Sequence, residues 1–466
     1  MNRFFKNLRI IIKLSAIIII PFWGLTCTIS GCSVNSTATV RLEDPALSAL
    51  DAYINNKDQT FRWEIVSHST NDNGTDCVVN MISQTWQDIV WKHTMYIIEP
   101  VNLTNPEHCV LFITGGSNGE PLRESEVRSA QLIAGLSGMY VTVLGQVPNQ
   151  PLMGGYTEDG LITETFLKML ETKDESWPLL FPMAKSAVRA MDAVQQLLRM
   201  HRSKDVRGFV VFGASKRGWT TWMTAASKDS RVAAIAPLVI NTLNMEPQYV
   251  YQLANWGYYS EQIEDYSRRR LLHEQTDPNA PAEEKELRER LWHMIDPYFY
   301  RERITIPKLL VHGTNDRYWN LDGARFYWND LTGHKFLLNL PNVGHNLGRE
   351  RDKALTTIAA FAKLISDGVD LPTMCWHEEY KTDGYTLSVT SDIPATGAKL
   401  WTAYNEGRDF REATWNFTEL QPLPDGKGNF LAKVYKPESG YVAFYVEIET
   451  GYKGISYSLT TEVFHP

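Results

Sequence analysis

From residue 109 to residue 340 the chain repeats one pattern, a short apolar run followed by a longer stretch. The runs are Cys109–Thr114, Tyr140–Leu144, Val210–Phe212, Val232–Val239, Ile306–Val311 and Lys335–Leu340. Stretches at 122–136 and 181–200 read as helices, the second with Met183, Val188, Met191, Val194, Leu197 and Leu198 on one face. Strands without polar alternation are buried on both faces, and their alternation with helices requires a mostly parallel sheet covered on either side. The expected class is therefore α/β, doubly wound. Ahead of it, Phe61–Val66, Cys77–Ile82 and Val90–Ile98 read as an antiparallel lead-in.

One of these strands ends in a distinctive turn. Val210-Val211-Phe212-Gly213-Ala214 runs into Ser215, and Lys216-Arg217-Gly218-Trp219 opens a helix. A serine on a sharp strand-to-helix turn is a nucleophile elbow, which presents its hydroxyl at the edge of the sheet. The common elbow is G-x-S-x-G. Here the second glycine comes one place late, and Arg217 stands where a small residue is usual. Two readings of Arg217 follow. It reaches into the site and stabilises negative charge, or it is a structural arginine paired with a carboxylate at the rim of the sheet.

A serine hydroxyl is a weak nucleophile until a base takes its proton. His345 closes the run Pro341-Asn342-Val343-Gly344-His345, and Asp316 closes His312-Gly313-Thr314-Asn315-Asp316. Each follows a strand, and the order Ser, Asp, His is that of α/β-hydrolases. Asp316 would fix the tautomer of His345 and stabilise the imidazolium formed during attack. It lies 101 residues after Ser215 and 29 before His345, room in the second interval for one helix and one strand. Asp322 is the reserve acid. The backbone N–H of Lys216 is the first expected oxyanion donor. The second is expected from Gly115-Gly116-Ser117, which reads equally well as an ordinary tight turn. His312 lies before the acid and reads as structural. No C-x-x-C or H-E-x-x-H occurs, and His93, His108, His334 and His377 have no companions at ligand spacing, so neither metal nor cofactor is expected.

Residues 1–31 read as a signal peptide. Arg3, Lys6, Arg9 and Lys13 precede the apolar stretch Leu14–Gly24, which is short for a membrane span. Ile29-Ser30-Gly31-Cys32 then resembles a bacterial lipobox, with Cys32 the lipidated residue and residues 32–40 a polar tether. The alternative is a plain secretory signal or an uncleaved anchor. Lipidation implies a bacterial cell-envelope protein held on a membrane and facing the periplasm or the exterior. Loss of the four basic residues takes the formal charge from −8 to −12, and no basic stripe is present, so nucleic acid is not an expected partner. Cys77, Cys109 and Cys375 remain, with a Cys77–Cys109 bridge or three buried thiols as the alternatives.

Residues 41–370 are expected to form the α/β domain. Residues about 241–303 interrupt its rhythm as a helical insertion, Pro247–Arg270 and Glu283–Ile295, placed between nucleophile and acid as a lid would be. Trp256, Tyr258, Tyr259, Trp292 and Tyr298 either line a pocket or pack this lid onto the core. Residues 371–466 shift to short strands with Gly, Pro and Asp turns, the pattern of a β-sandwich-like module.

Several uncommon words occur in order along residues 40–460: Gln146-Val147-Pro148-Asn149-Gln150-Pro151-Leu152, Gly213 to Trp222, Ile295-Asp296-Pro297-Tyr298, Gly313-Thr314-Asn315-Asp316 with Tyr318-Trp319, and Pro341 to His345. Together they resemble the PhoPQ-activated pathogenicity-related protein family, which also includes secreted proliferation-repressor proteins. The resemblance implies an α/β-hydrolase fold, secretion or lipid anchoring, and a link with virulence or cell-surface behaviour, without a defined substrate. Arg317 departs from it, since the family's usual residue after the acid is proline. The elbow alone is similar to that of glucuronoyl esterases, where a nearby arginine serves the oxyanion. The expectation is a serine hydrolase acting on a small-molecule or glycan ester. A non-catalytic adhesion or signalling protein and a serine peptidase of the same fold are the alternatives.

Overall fold

The computed structural model describes residues 44–72, 74–424 and 428–466. The expected signal peptide, Cys32 and the tether lie outside the described residues. Strands β1 (Arg62–Asn71), β2 (Gly74–Trp86) and β3 (Ile89–Pro100) form the antiparallel lead-in, preceded by α1 (Ser48–Asn55). The alternating region follows as β4 (His108–Ile113), α2 (Glu124–Ser137), β5 (Tyr140–Leu144), α3 (Glu158–Thr172), α4 (Leu180–Arg202), β6 (Gly208–Ala214), α5 (Lys216–Ala226) and β7 (Val232–Leu238). Helices α6 (Met245–Trp256), α7 (Glu264–Arg268) and α8 (Ala282–Ile295) precede β8 (Lys308–Gly313), β9 (Lys335–Leu340) and α9 (Arg351–Asp367).

The sheet runs β3-β5-β4-β6-β7-β8-β9, parallel from β5 onward. Every residue of β5 is buried, as is every residue of β6 except its last, so apolar runs rather than alternation mark them in the sequence. The chain leaves β4 toward β5 on one side and then crosses back to β6 on the other. Right-handed crossovers in opposite directions put α2 on one face and α4 and α5 on the other. α2 accordingly packs beside α9, and α4 beside α5. The reversal leaves a crevice at the carboxyl ends of β4 and β6, where open α/β sheets bind ligands.

Three expectations change here. The segment 247–270 is not one helix: α6 ends at Gly257, whose φ of 79° stops it, and α7 is a separate short helix. Between Asp322 and β9 the chain makes two 3-10 turns, Gly323–Phe326 and Trp328–Asp330, in place of a helix. Cys77 and Cys109 do not bridge. They stand on β2 and β4, with β3 and β5 between them, and three strand spacings of roughly 4.8 Å are too far for a disulfide.

The last hundred residues also pack differently from an independent sandwich. β10 (Met374–Tyr380), β11 (Gly384–Ser391) and β14 (Phe430–Tyr435) form a small antiparallel sheet of their own. β12 (Gly397–Asn405), β13 (Asn416–Glu419), β15 (Tyr441–Tyr452) and β16 (Ile455–Thr460) instead extend the central sheet beyond β9 in the order β16-β15-β12-β13. The join is Thr460 opposite Leu337, reinforced by Asn339, whose Nδ2 donates to Thr460 Oγ1 and Thr461 O. Tyr385 stacks on Phe444 at 5.7 Å, so the small sheet covers this extension. The arm between β12 and β13, residues 406–415, buries Phe410 and Trp415 in a second, smaller core with Tyr445.

Candidate active site

Ser215 sits between β6 and α5 with φ 58° and ψ −126°, a conformation costly for a residue with a side chain. Its N–H donates to Leu238 O at 2.9 Å, which ties the turn to the end of β7. The late glycine has a steric cause. A side-chain carbon at Gly218 would come within 2.5 Å of Ile240 Cγ2 and 3.0 Å of Gly213 O. The close approach of helix to strand thus falls one residue later than in the common elbow, and Arg217 is free to point away.

His345 Nδ1 and Asp316 Oδ2 are hydrogen-bonded at 2.8 Å. Asp316 is buried and its Oδ1 accepts the Tyr318 N–H at 2.9 Å, so the carboxylate is fixed at both oxygens. The Tyr318 ring lies over the His345 ring, centroids 4.2 Å apart. His345 Nε2 is buried and has no hydrogen-bond partner among the described residues. His345 and Ser215 both line one narrow cavity of about 30 Å³, although no hydrogen bond joins the two side chains. Apo geometry of this looseness is common where the bond tightens only around substrate. Asp322, the reserve acid, accepts from Tyr251 Oη at 2.8 Å and pairs with Arg325, so it serves the insertion rather than His345.

Arg217 is the carboxylate-paired arginine of the two readings. Its two terminal nitrogens donate to the two oxygens of Glu158, at 2.8 and 2.6 Å, and its Nε to Val147 O at 2.6 Å. Burial would raise the Glu158 carboxyl, but the guanidinium beside it pulls it down to about 2. Lys216 pairs with Asp159 at 2.8 Å. Burial would lower its ammonium, yet Asp159 outweighs this and holds it above the ordinary lysine range, so Lys216 is a fixed cation and no base. The Arg217 guanidinium lies against Gly115, where a side-chain carbon would meet it at 2.4 Å. Gly115 and Gly116 therefore stand at the end of β4, beside the strand that carries Ser215, with Gly116 at φ 108°. Lys216 is the first residue of α5, and an N–H in that position has no acceptor within its own helix.

Glu158 and Asp159 are the site residues the sequence reading missed. They open α3, a helix it did not identify. The signal was present as two acids in a first helical turn after Thr157.

The aromatics named for the lid pack rather than line the cavity. Trp256 lies under Arg411, Tyr258 bonds it, Trp292 packs on Tyr249, and Tyr298 bonds Asp330. Tyr259 interacts with Glu274. From the insertion it is Thr242, Tyr249, Ile263 and Tyr266 that line the cavity.

The arm 406–415 holds the loops that carry Asp316 and His345. Asn315 Nδ2 donates to Ala413 O at 2.8 Å and to Arg411 O at 3.2 Å. Asn342 Nδ2 donates to Trp415 O at 2.9 Å, and Asn342 Oδ1 accepts the Trp415 N–H at 2.7 Å. One of these asparagines precedes Asp316 and the other lies three residues before His345. Arg317, which stands where proline was expected, pairs with Glu261 of the insertion and Glu412 of the arm. Among the described residues no group of acidic, histidine or cysteine side chains is arranged to hold a metal ion.

Residues 50–411 match the family model described as PhoPQ-activated pathogenicity-related protein. Autocrine proliferation repressor protein A of Dictyostelium discoideum is 30% identical over 434 residues, which cover 86% of this chain and 85% of that protein. Among solved structures, an acetyl xylan esterase from Paenibacillus sp. R4 is similar with a TM-score of 0.48 at 16% identity, over 67% of this chain and 92% of that one. A glucuronoyl esterase from Solibacter usitatus is similar with a TM-score of 0.43 at 14% identity, over 68% and 92%.

Proposed function

We propose that this chain, which belongs to the PhoPQ-activated pathogenicity-related protein family, is a serine hydrolase that cleaves carboxylic esters. The observation that carries the reading is the His345–Asp316 pair, with His345 Nε2 unpartnered and His345 lining the same cavity as the strained Ser215. Ser215 Oγ attacks the ester carbonyl carbon while its proton passes to His345 Nε2. The Asp316 carboxylate holds the other nitrogen protonated and stabilises the imidazolium. The Lys216 N–H and the Gly115-Gly116 turn supply hydrogen bonds to the oxyanion, and one such donor is commonly worth about 3 kcal/mol of barrier. Collapse expels the alcohol, which takes the proton from His345. Water, deprotonated by His345, then releases the acid and restores the serine. The Arg217 side chain is outside this list; it holds the turn after β5 and α3 against the elbow.

A fluorophosphonate probe is expected to label the mature protein on Ser215, and Ser215→Ala to remove both labelling and ester hydrolysis. Wild-type protein that is folded yet neither labelled nor active sinks the reading. The lack of a hydrogen bond between Ser215 and His345 Nε2 favours a second one, a binding protein that keeps the fold, and the same probe separates them. By the lipobox-like Ile29-Ser30-Gly31-Cys32, we place the enzyme on a bacterial envelope membrane, anchored through Cys32. Cys32→Ala is expected to abolish palmitate incorporation and move the protein from the membrane to the soluble fraction. The family's description further suggests a role in virulence or cell-surface behaviour.

A further inference from the structure

Two cavities of very different size meet at His345 and Tyr318. The first is the narrow one at Ser215, about 30 Å³, walled mainly by Trp219, Ile240, Tyr249, Ile263 and Tyr266, with Asp159, Lys216 and Thr242 also reaching it. Each of these main walls is less than a tenth exposed. Two are pinned by their polar ends, Trp219 to Ile295 O at 2.7 Å and Tyr266 to Asp159 at 2.9 Å. Space of this size holds about one water or one methyl group. The second is an open cleft of about 670 Å³ on the far side of His345, lined by Gln262, Arg317, Asn342, Arg411, Glu412 and Thr414. Three of those six belong to the arm.

We infer, on the reading of Ser215, His345 and Asp316 as a triad, that the substrate is a short-chain acyl ester of a large, neutral, hydroxyl-rich alcohol, the acyl group entering the narrow pocket and the alcohol lying in the cleft against the arm. The acyl limit follows from the pocket: with the carbonyl carbon at Ser215, about one methyl group fits before a pinned aromatic must move. The alcohol follows from the chemistry of the cleft. Amide, hydroxyl and charged groups share its lining with the Tyr318 and His345 rings, which suits many hydrogen bonds and offers no continuous apolar wall for a lipid tail. Its cations are already matched, Arg317 by Glu261 and Glu412, Arg411 by Asp409 and Glu261. A cleft without a spare positive charge selects a neutral polyol over a phosphate or a polyanion. An oligosaccharide carrying acetyl groups meets both demands.

The test uses the mature protein with 4-nitrophenyl acetate, butyrate and hexanoate, and with an acetylated cello-oligosaccharide, alongside fluorophosphonate labelling. The expected kcat/KM falls at least tenfold from acetate to hexanoate, and Ile263→Ala recovers most of that loss, since one or two methylenes in a closed apolar pocket discriminate by roughly 10–200-fold. Thr414→Trp, at an exposed position of the arm, raises KM for the oligosaccharide at least tenfold more than KM for 4-nitrophenyl acetate. A labelled enzyme that prefers hexanoate overturns the acyl assignment. Equal effects of Thr414→Trp on both substrates overturn the cleft assignment. A wild-type protein with neither labelling nor hydrolysis overturns the triad reading itself, and this inference with it. The wild-type chain-length series needs no variant to fold.

Discussion

Arg217 and Glu158 meet through two parallel hydrogen bonds of 2.8 and 2.6 Å, the guanidinium matched oxygen for oxygen by the carboxylate. A fork-to-fork pair of this kind fixes orientation as well as distance. It joins the first turn of α5 to the first turn of α3, and through Arg217 Nε it also holds Val147 O after β5. The charge of Arg217 is thereby committed to organising the rim of the crevice.

Glu158 therefore makes stability sensitive to acid. Its carboxyl lies at about 2 in the folded chain, against an ordinary value of 4.5. As pH falls, the unfolded chain takes up this proton first, so the contribution is whole above pH ~4.5 and is lost toward pH ~2. The carboxylate is partly exposed and water screens the pair, which leaves on the order of 1–2 kcal/mol. Glu158→Gln should lose about that much at pH 7 in urea melts and lose less than wild type on acidification to pH 3. A variant as acid-sensitive as wild type would contradict this.

Asp316→Asn should leave the fold intact and lower kcat by about 10³–10⁴ with little change in KM. The amide can present an N–H to His345 Nδ1 and so stabilise the wrong tautomer. Steady-state kinetics on 4-nitrophenyl acetate, with circular dichroism as the check on folding, decides it. By contrast Asp322→Asn, in the pair with Arg325 and Tyr251, should act on stability rather than on kcat.

Gly218→Ala should destabilise by about 1–3 kcal/mol, the usual cost of overpacking. The added carbon meets Ile240 Cγ2 at 2.5 Å and two backbone oxygens at 3.0 Å. Thermal melts of the variant measure this, and an unchanged melting temperature would show that the close approach lies elsewhere.

The parallel sheet and the elbow were legible because both are written locally. β5 and β9 are fully or almost fully buried runs, and Ser215, Asp316 and His345 each follow such a run directly. Arg217 was ambiguous because its partner lies 59 residues away on a helix with modest amphipathicity. The extension of the central sheet was illegible for another reason. β12, β13, β15 and β16 look alike as short strands wherever they pair, and one backbone pairing at Leu337 and Thr460 decides which sheet they join. The role of Asn315 and Asn342 likewise depends on a turn some 75–100 residues later.

Asn315→Ala and Asn342→Ala should each lower kcat about tenfold while KM for 4-nitrophenyl acetate stays within twofold, because small misplacements of a catalytic pair are expensive. Asn342 also has φ 56°, which asparagine tolerates better than alanine. Circular dichroism melts and the rate of fluorophosphonate labelling distinguish misplacement from unfolding. A loss in KM alone would assign these asparagines to substrate contact instead.

The arm at 406–415 gives the proposed site an order of completion. A chain cut short before Phe410 contains Ser215, Asp316 and His345, yet lacks the backbone carbonyls and N–H that Asn315 and Asn342 grip. Such a fragment would hold every reactive group and leave two of its loops untethered. On the proposed reading, truncation ahead of the arm silences the protein while every reactive residue stays in the chain.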